Sequence, residues 1–467
     1  MKRLLAWLLR MGAFTPAVVR MARSAIPNAW IDRLTYAVFE SETDALEQLF
    51  ACRNQLDPVP GRVVLACGSL RAGGSERQAV ITANAIAASL ESVTLLCDRL
   101  DSEGQEQRNF YRSAVSHPRV SVMQLGPPSM AGLPAGAAAA LAKLHPGLAR
   151  DVTAYYRAFR EYRPQVVHAW LDWNNVRAGA AAVLAGVPGV VLSTRNMSPT
   201  QFSFHAEYLR STYRALLQHP SVVLTNNSEA GAKDYATWLG IDVNTVAVVR
   251  NGVAIPTPLD AHVVDGLRRS LRIPPDAPVV VGMFRLCDEK QPLLWLEVAS
   301  IVALAEPRAQ FIIFGEGPMR EEVEAAASRL GLDGRLHLPG LIGQALCGLS
   351  LGDVVLLTSR AEGTPNVVLE AQSLGLPVIA TDVGGTGEAL RDGVTGVLVR
   401  DGGAEAIAAA VLRGVRDTVL RDSARRNGPG FVAKRFGRER MIDQTLRLYT
   451  RAGGNSPTTM VPTRIGS

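Results

Sequence analysis

The sequence predicts an α/β protein of two doubly wound parallel-sheet domains in tandem, with an extra helical segment at the N-terminus. Three observations carry this. From Gly61 onward short β-branched runs alternate with longer helical patterns, which is how successive βα units read. Near residues 251–275 the alternation halts at Asn251-Gly252 and two prolines, and then it restarts. The 467 residues, 47% hydrophobic and 20% charged, suffice for two or three buried cores.

Residues 1–60 read as a basic, helical extension, because Lys2, Arg3, Arg10, Arg20 and Arg23 all precede the first acid, Asp32. The longest apolar run there, LLAWLL, ends at Arg10. That is too short for a secretory signal and far from the roughly 20 apolar residues of a spanning helix. Two readings stay open: a basic amphipathic helix lying on an anionic membrane, and a short helix packed on the body of the protein.

Residues 61–250 read as the first domain, with strands at RVVLAC (Arg62 to Cys67), SVTLLC (Ser92 to Cys97), RVSVMQ (Arg119 to Gln124), QVVHAW (Gln165 to Trp170), GVVLST (Gly189 to Thr194) and SVVLTN (Ser221 to Asn226). Residues 276–435 repeat the pattern: PVVVGMF (Pro278 to Phe284), AQFIIFG (Ala309 to Gly315), RLHLPG (Arg335 to Gly340), DVVLLTS (Asp353 to Ser359), PVIAT (Pro377 to Thr381) and GVLV (Gly396 to Val399). A last helix over 436–452 carries Phe436, Met441, Ile442, Leu446 and Leu448 as a loose apolar stripe, and 453–467 read as a disordered tail.

The formal charge of +6 is modest, and the absence of a long Lys/Arg run argues against a nucleic-acid partner. Polyphosphate ligands or an anionic membrane surface fit better. Five scattered cysteines with no C-x-x-C spacing suggest neither a disulfide framework nor a zinc site, and they point to a reducing cytosol. Neither a D-x-D nor a spaced His/Asp set is present, so no metal is expected.

In open α/β sheets ligands sit beyond the carboxyl ends of the strands, where loops lead into helix N-termini. The stretch SRAEGTPNVVLE is such a place. Thr364-Pro365 reads as an N-cap followed by proline at the first helical position. The backbone N–H groups of Asn366 and Val367 then face an anion. Glu370 lies deeper in the helix, suited to ribose hydroxyls, and Glu362 precedes Gly363, free to grip the group beyond the phosphates. Taken alone, both glutamates read as surface charges. Context changes that, since the second domain's first loop, FRLCDEKQP, offers Arg285 and Lys290 to phosphate oxygens. In the first domain's counterpart, GSLRAGGSERQ, Gly73-Gly74 permits close backbone approach and Ser75 reads as a helix cap. His168, Asp172, Arg195 and Asn196 end or follow neighbouring strands, where they read either as cleft residues or as satisfied, partly buried groups.

Taken together, GGSER (Gly73 to Arg77), VVHAW (Val166 to Trp170), STRN (Ser193 to Asn196), RNGV (Arg250 to Val253), FRLCDEKQP, FGEGP (Phe314 to Pro318) and EGTPNVVLE resemble the family-four retaining glycosyltransferases. The resemblance spans roughly Gly61 to Ala452 and implies two facing Rossmann-like domains, the GT-B fold. It implies that Glu370 holds the donor ribose, Glu362 the donor sugar, and Arg285 and Lys290 the diphosphate. It also implies that His168 lies near the transferred sugar and the Gly73-Gly74 loop near phosphates and acceptor. HAWLDWNN and STRNMSPTQF look like a branch associated with bacterial surface polysaccharides.

The function expected is transfer of a sugar from a nucleotide diphosphate donor to a hydroxyl of a glycan or lipid-linked acceptor, with retention of configuration and no cofactor. The expected place is the cytoplasm, peripheral on the inner face of the plasma membrane. The alternatives are a nucleotide-sugar epimerase of the same fold and a non-catalytic nucleotide-sugar binding subunit. A dinucleotide-dependent oxidoreductase is disfavoured because neither first loop gives a clean G-x-G-x-x-G with an acid about 20 residues on.

Overall fold

The computed structural model describes residues 42–101, 108–202, 208–256, 260–400 and 403–453. The membrane reading of the basic N-terminal stretch and the tail from residue 454 fall outside the described residues. The first sheet contains β1 (Val59–Cys67), β2 (Ser92–Cys97), β3 (Val120–Gln124), β4 (Pro164–Trp170), β5 (Gly189–Ser193), β6 (Val222–Asn226) and β7 (Ala247–Val248). Its order is β3-β2-β1-β4-β5-β6-β7, and its registers are parallel throughout. The second contains β8 (Val279–Met283), β9 (Gln310–Phe314), β10 (Leu336–Gly340), β11 (Val354–Leu357), β12 (Val378–Thr381) and β13 (Gly396–Val399), in the parallel order β10-β9-β8-β11-β12-β13.

Helices cover both faces of such sheets, so their strands are near-continuous apolar runs. Every residue of β4, β5, β6, β9 and β11 is buried accordingly. Each sheet reverses its strand order next to its first strand, between β1 and β4 and between β8 and β11. Ligand crevices open at such switch points.

Three segments differ from the sequence expectation, all because long-range packing overrides local pattern. Residues 42–51 form a helix whose Ala45, Leu46 and Leu49 are fully buried in the first domain's core, so this part of the supposed extension belongs to that domain. The connector between the domains contains a helix, Ala261–Ser270, whose Val264 and Leu267 pack on the second domain's core. The last helix, Arg438–Gly453, returns to the first domain and buries Met441, Leu448 and Tyr449 among residues of β1, β2, β4 and β5. The two crossings between domains run side by side, where Val253 N donates to Phe436 O at 2.8 Å and Val253 bridges Gly437.

Candidate active site

The loops after β8 and β11 flank the second sheet's switch point. After β8 the chain exposes Arg285 and makes a short 3-10 turn, Asp288–Lys290. It then reaches Gln291 at φ 49°, a left-handed conformation that costs a non-glycine residue on the order of 1 kcal/mol. That turn is braced by Thr358 Oγ1, which donates to the carbonyls of Lys290 (3.1 Å) and Gln291 (3.2 Å). It leaves Lys290 Nζ 2.5 Å from Glu362 Oε1, which also accepts from Ser359 Oγ at 2.6 Å. Glu362 is therefore buried and paired, where the sequence suggested a free carboxylate.

Pro365, not Thr364, holds the N-cap position of the helix Asn366–Ser373, and no side chain caps it. The Thr364 hydroxyl is used elsewhere, donating to the Asn227 carbonyl of the first domain at 2.7 Å. Ser75 is likewise not a cap, because the helix Gly74–Ile86 begins at Gly74 with Gly73 as its uncapped N-cap residue. These two helix N-termini meet across the cleft. Asn366 Nδ2 donates to Gly74 O at 3.0 Å, and Asn366 Oδ1 accepts from Asn251 Nδ2 at 2.7 Å and Gln78 Nε2 at 3.2 Å. A Cβ on Gly74 would lie 2.9 Å from Asn366 Nδ2, and one on Gly363 would lie 2.6 Å from Asn227 Oδ1 and 2.7 Å from Arg195 O. Glycine at both positions lets the two backbones approach.

The carboxylate of Glu370, also buried, accepts from the Arg77 guanidinium of the opposite domain. Arg195, at φ 58°, lays its guanidinium 4.0 Å over the Trp170 ring and donates to Asn251 Oδ1 at 2.5 Å. Burial pushes its pKa down to about 9, which leaves it charged at neutral pH. The cleft bounded by these groups encloses about 350 Å³, within the range of small-molecule sites.

Of the residues singled out from the sequence, Gly73, Gly74, Arg195, Arg285, Lys290 and Glu362 line this one cleft, together with Gly363, Thr364, Pro365, Asn366, Val367 and Glu370. His168 does not. It lies within β4, buried, with Nδ1 2.9 Å from the Tyr449 hydroxyl of the last helix and the Trp170 ring tilted beside it, 5.1 Å between centroids. Burial, with a smaller contribution from Arg195, pulls its pKa down to about 3, so the ring is neutral. Asp172 is also withdrawn, accepting from the Tyr213 and Tyr235 hydroxyls at 2.8 and 2.7 Å.

The chain's two halves match two family descriptions: residues 73–252 a glycosyl transferase 4-like domain, and residues 277–417 glycosyl transferases group 1. The chain belongs to the family-four glycosyltransferases. Among relatives of this chain, the Vi polysaccharide biosynthesis protein VipC/TviE of Salmonella typhi is 28% identical over 371 residues, covering 73% of this chain and 62% of the relative. An Escherichia coli UDP-Gal:alpha-D-GlcNAc-diphosphoundecaprenol alpha-1,3-galactosyltransferase is 24% identical, covering 64% of this chain and 79% of its own length. The solved structure of Anabaena HepE in complex with UDP and glucose shares the fold, with TM-score 0.67 and 19% identity over 83% of this chain and 98% of that one. The chain spans between 47% and 62% of the length of several curated relatives that it matches.

Sequence reasoning missed Arg77, Gln78, Asn227 and Asn251 as cleft residues. RNGV reads as a turn and as part of the family resemblance, with no role attached to Asn251, yet Asn251 bonds Thr364 O, Asn366 Oδ1 and Arg195 at once. A usable signal is present in the consecutive polar residues Thr225, Asn226, Asn227 and Ser228 ending a buried strand, since buried polar groups need partners; Asn227 Nδ2 donates to Asn251 Oδ1 at 3.2 Å and the Asn227 carbonyl accepts from Thr364 across the cleft.

Proposed function

We propose that the chain transfers a sugar from a nucleoside diphosphate donor to a hydroxyl of a glycan or lipid-linked acceptor, with retention at the anomeric carbon and without a metal. One observation carries the reading: Arg285, Lys290 and the helix N-terminus at Asn366 face the same cleft as the carboxylates Glu362 and Glu370. The first turn of a helix has N–H groups with no intrahelical partner and a positive dipole end, which suits phosphate. Glu370, four residues further on, is about 6 Å along the axis from Asn366, on the same face. A diphosphate at the tip thereby directs ribose hydroxyls to Glu370 and the sugar toward Glu362.

In this reading the bond between the anomeric carbon and the diphosphate oxygen breaks while the acceptor oxygen bonds to the same face. The acceptor's proton passes to the departing diphosphate. Arg285, Lys290 and the helix tip meet the charge forming on it, more strongly than in the ground state, which is how such contacts accelerate transfer. Among the described residues no group of three or more His, Cys, Asp or Glu is placed to hold a metal.

The UDP complex of the Anabaena structure and the diphosphoundecaprenol acceptor in the Escherichia coli relative's name support a nucleotide-sugar donor and a lipid-linked acceptor. The Salmonella relative supports a place in surface polysaccharide synthesis. No helix among the described residues is long and apolar enough to cross a membrane. We assign the encounter with a lipid-linked acceptor to the cytosolic surface of the membrane.

The test is release of nucleoside diphosphate from UDP-, GDP- and dTDP-sugars with undecaprenyl-diphosphate-linked sugars as acceptors, with and without EDTA. Acceptor-dependent release that EDTA leaves unchanged is expected. Conversion of the donor to its epimer without acceptor would replace this reading with the epimerase.

A further inference from the structure

Arg77 is a cleft residue that the proposed reaction does not yet use. It stands in the first turn of Gly74–Ile86, between two residues that grip the opposite helix tip: Gly74, whose carbonyl accepts from Asn366 Nδ2, and Gln78, which donates to Asn366 Oδ1. Its side chain is 19% exposed and its guanidinium is ion-paired across the cleft with Glu370. Its Nε is buried without a hydrogen-bond partner among the described residues. A buried guanidinium donor without an acceptor is unusual and marks a position suited to a further anionic group.

Under the proposed function the ribose hydroxyls bond to Glu370, the carboxylate that Arg77 holds. Displacing Arg77 would leave a largely buried positive charge unpaired, which is strongly unfavourable unless another anion takes it. The anion within a side-chain swing is the diphosphate, seated at Asn366 about 6 Å along the same helix face.

We propose that Arg77 is a diphosphate-binding residue supplied by the first domain, with Glu370 as its exchange partner: ribose at Glu370 releases the guanidinium to the phosphate oxygens. This inference rests on the reading of Glu370 as the ribose site. It makes donor binding depend on both domains, because the phosphates then bridge a helix tip of the second domain and an arginine of the first.

Calorimetry with UDP, GDP and dTDP, and with the matching nucleosides, tests it on the full chain and on Arg77→Ala. Loss of a charge-assisted contact weakens the nucleoside diphosphate about tenfold or more, while the nucleoside binds as before or more tightly once its competitor for Glu370 is gone. Arg77→Gln, which keeps length and a donor but no charge, carries the same expectation should Arg77→Ala fail to fold. If both ligands tighten by the same factor, or the diphosphate is unaffected, Arg77 only occupies Glu370 and the assignment is overturned. A wild-type chain that binds none of the diphosphates overturns the donor reading itself, and this inference with it.

Discussion

Lys290 Nζ and Glu362 Oε1 stand 2.5 Å apart, joining the loop after β8 to the loop after β11 across the second sheet's switch point. The pair fixes where a cation meets the cleft, so losing Lys290 removes the partner of a buried carboxylate and, on the proposed function, a phosphate contact. Lys290→Ala is expected to lower kcat/KM about 10²-fold, equivalent to about 2.7 kcal/mol of transition-state stabilisation. Steady-state kinetics with the preferred donor check this, and unchanged kinetics remove Lys290 from the account.

Glu362 and Glu370 hold different ends of the donor in this account. Contacts to ribose are alike in ground and transition states, so Glu370→Ala weakens donor binding mainly. Glu362 stands beside the bond that breaks, where contacts tighten as positive charge develops on the sugar, so Glu362→Ala lowers the rate more than the affinity. Donor Kd by calorimetry and single-turnover rate, measured for both variants, separate the roles. A Glu362→Ala enzyme transferring at the wild-type rate contradicts the division.

Gly363 sets how closely the domains approach. A Cβ there would meet Asn227 Oδ1 at 2.6 Å and the Arg195 carbonyl at 2.7 Å, both in the opposite domain, and the backbone atom has little freedom to yield. Gly363→Ala is expected to cost about 1–3 kcal/mol by overpacking and to cut activity at least tenfold through displaced cleft walls. Chemical denaturation together with kinetics reads both effects, and wild-type values for either one count against the packing argument.

His168 gives a pH dependence of stability. Its folded pKa, about 3, lies below the unfolded value near 6.5, so the unfolded chain binds the extra proton between those values. Its contribution is therefore fully present above about pH 6.5 and is lost as pH falls toward 3, at up to about 1.4 kcal/mol per pH unit. Urea denaturation between pH 7 and 4 should show a shallower loss for His168→Asn than for wild type. Parallel curves would show that His168 titrates normally in the folded chain.

Much of the fold was legible because parallel strands covered on both faces are written as unbroken β-branched runs. PVVVGMF and AQFIIFG, for example, contain β8 and β9. The switch-point loops were legible for a related reason, since Arg285, Lys290 and Glu362 are charged residues in the loops beyond such runs and Glu370 follows in the next helix. What the sequence concealed depends on distant partners. Tyr449 meets His168 from 281 residues away, turning a strand histidine that reads as a site residue into a core contact. Thr364 before Pro365 has every local mark of a cap, but the Asn227 carbonyl of the other domain takes its hydroxyl. Arg77 on Glu370 joins residues 293 apart in sequence, and no local pattern announces it.

Retaining transfer from a nucleoside diphosphate sugar in the interdomain cleft is read from the anomeric proton signal of the first-formed product. Followed by NMR during turnover of the preferred α-linked donor, the product should show the α-anomeric signal from its first appearance, and Lys290→Ala should suppress that signal about 10²-fold in rate. A β-linked first product would contradict the claim.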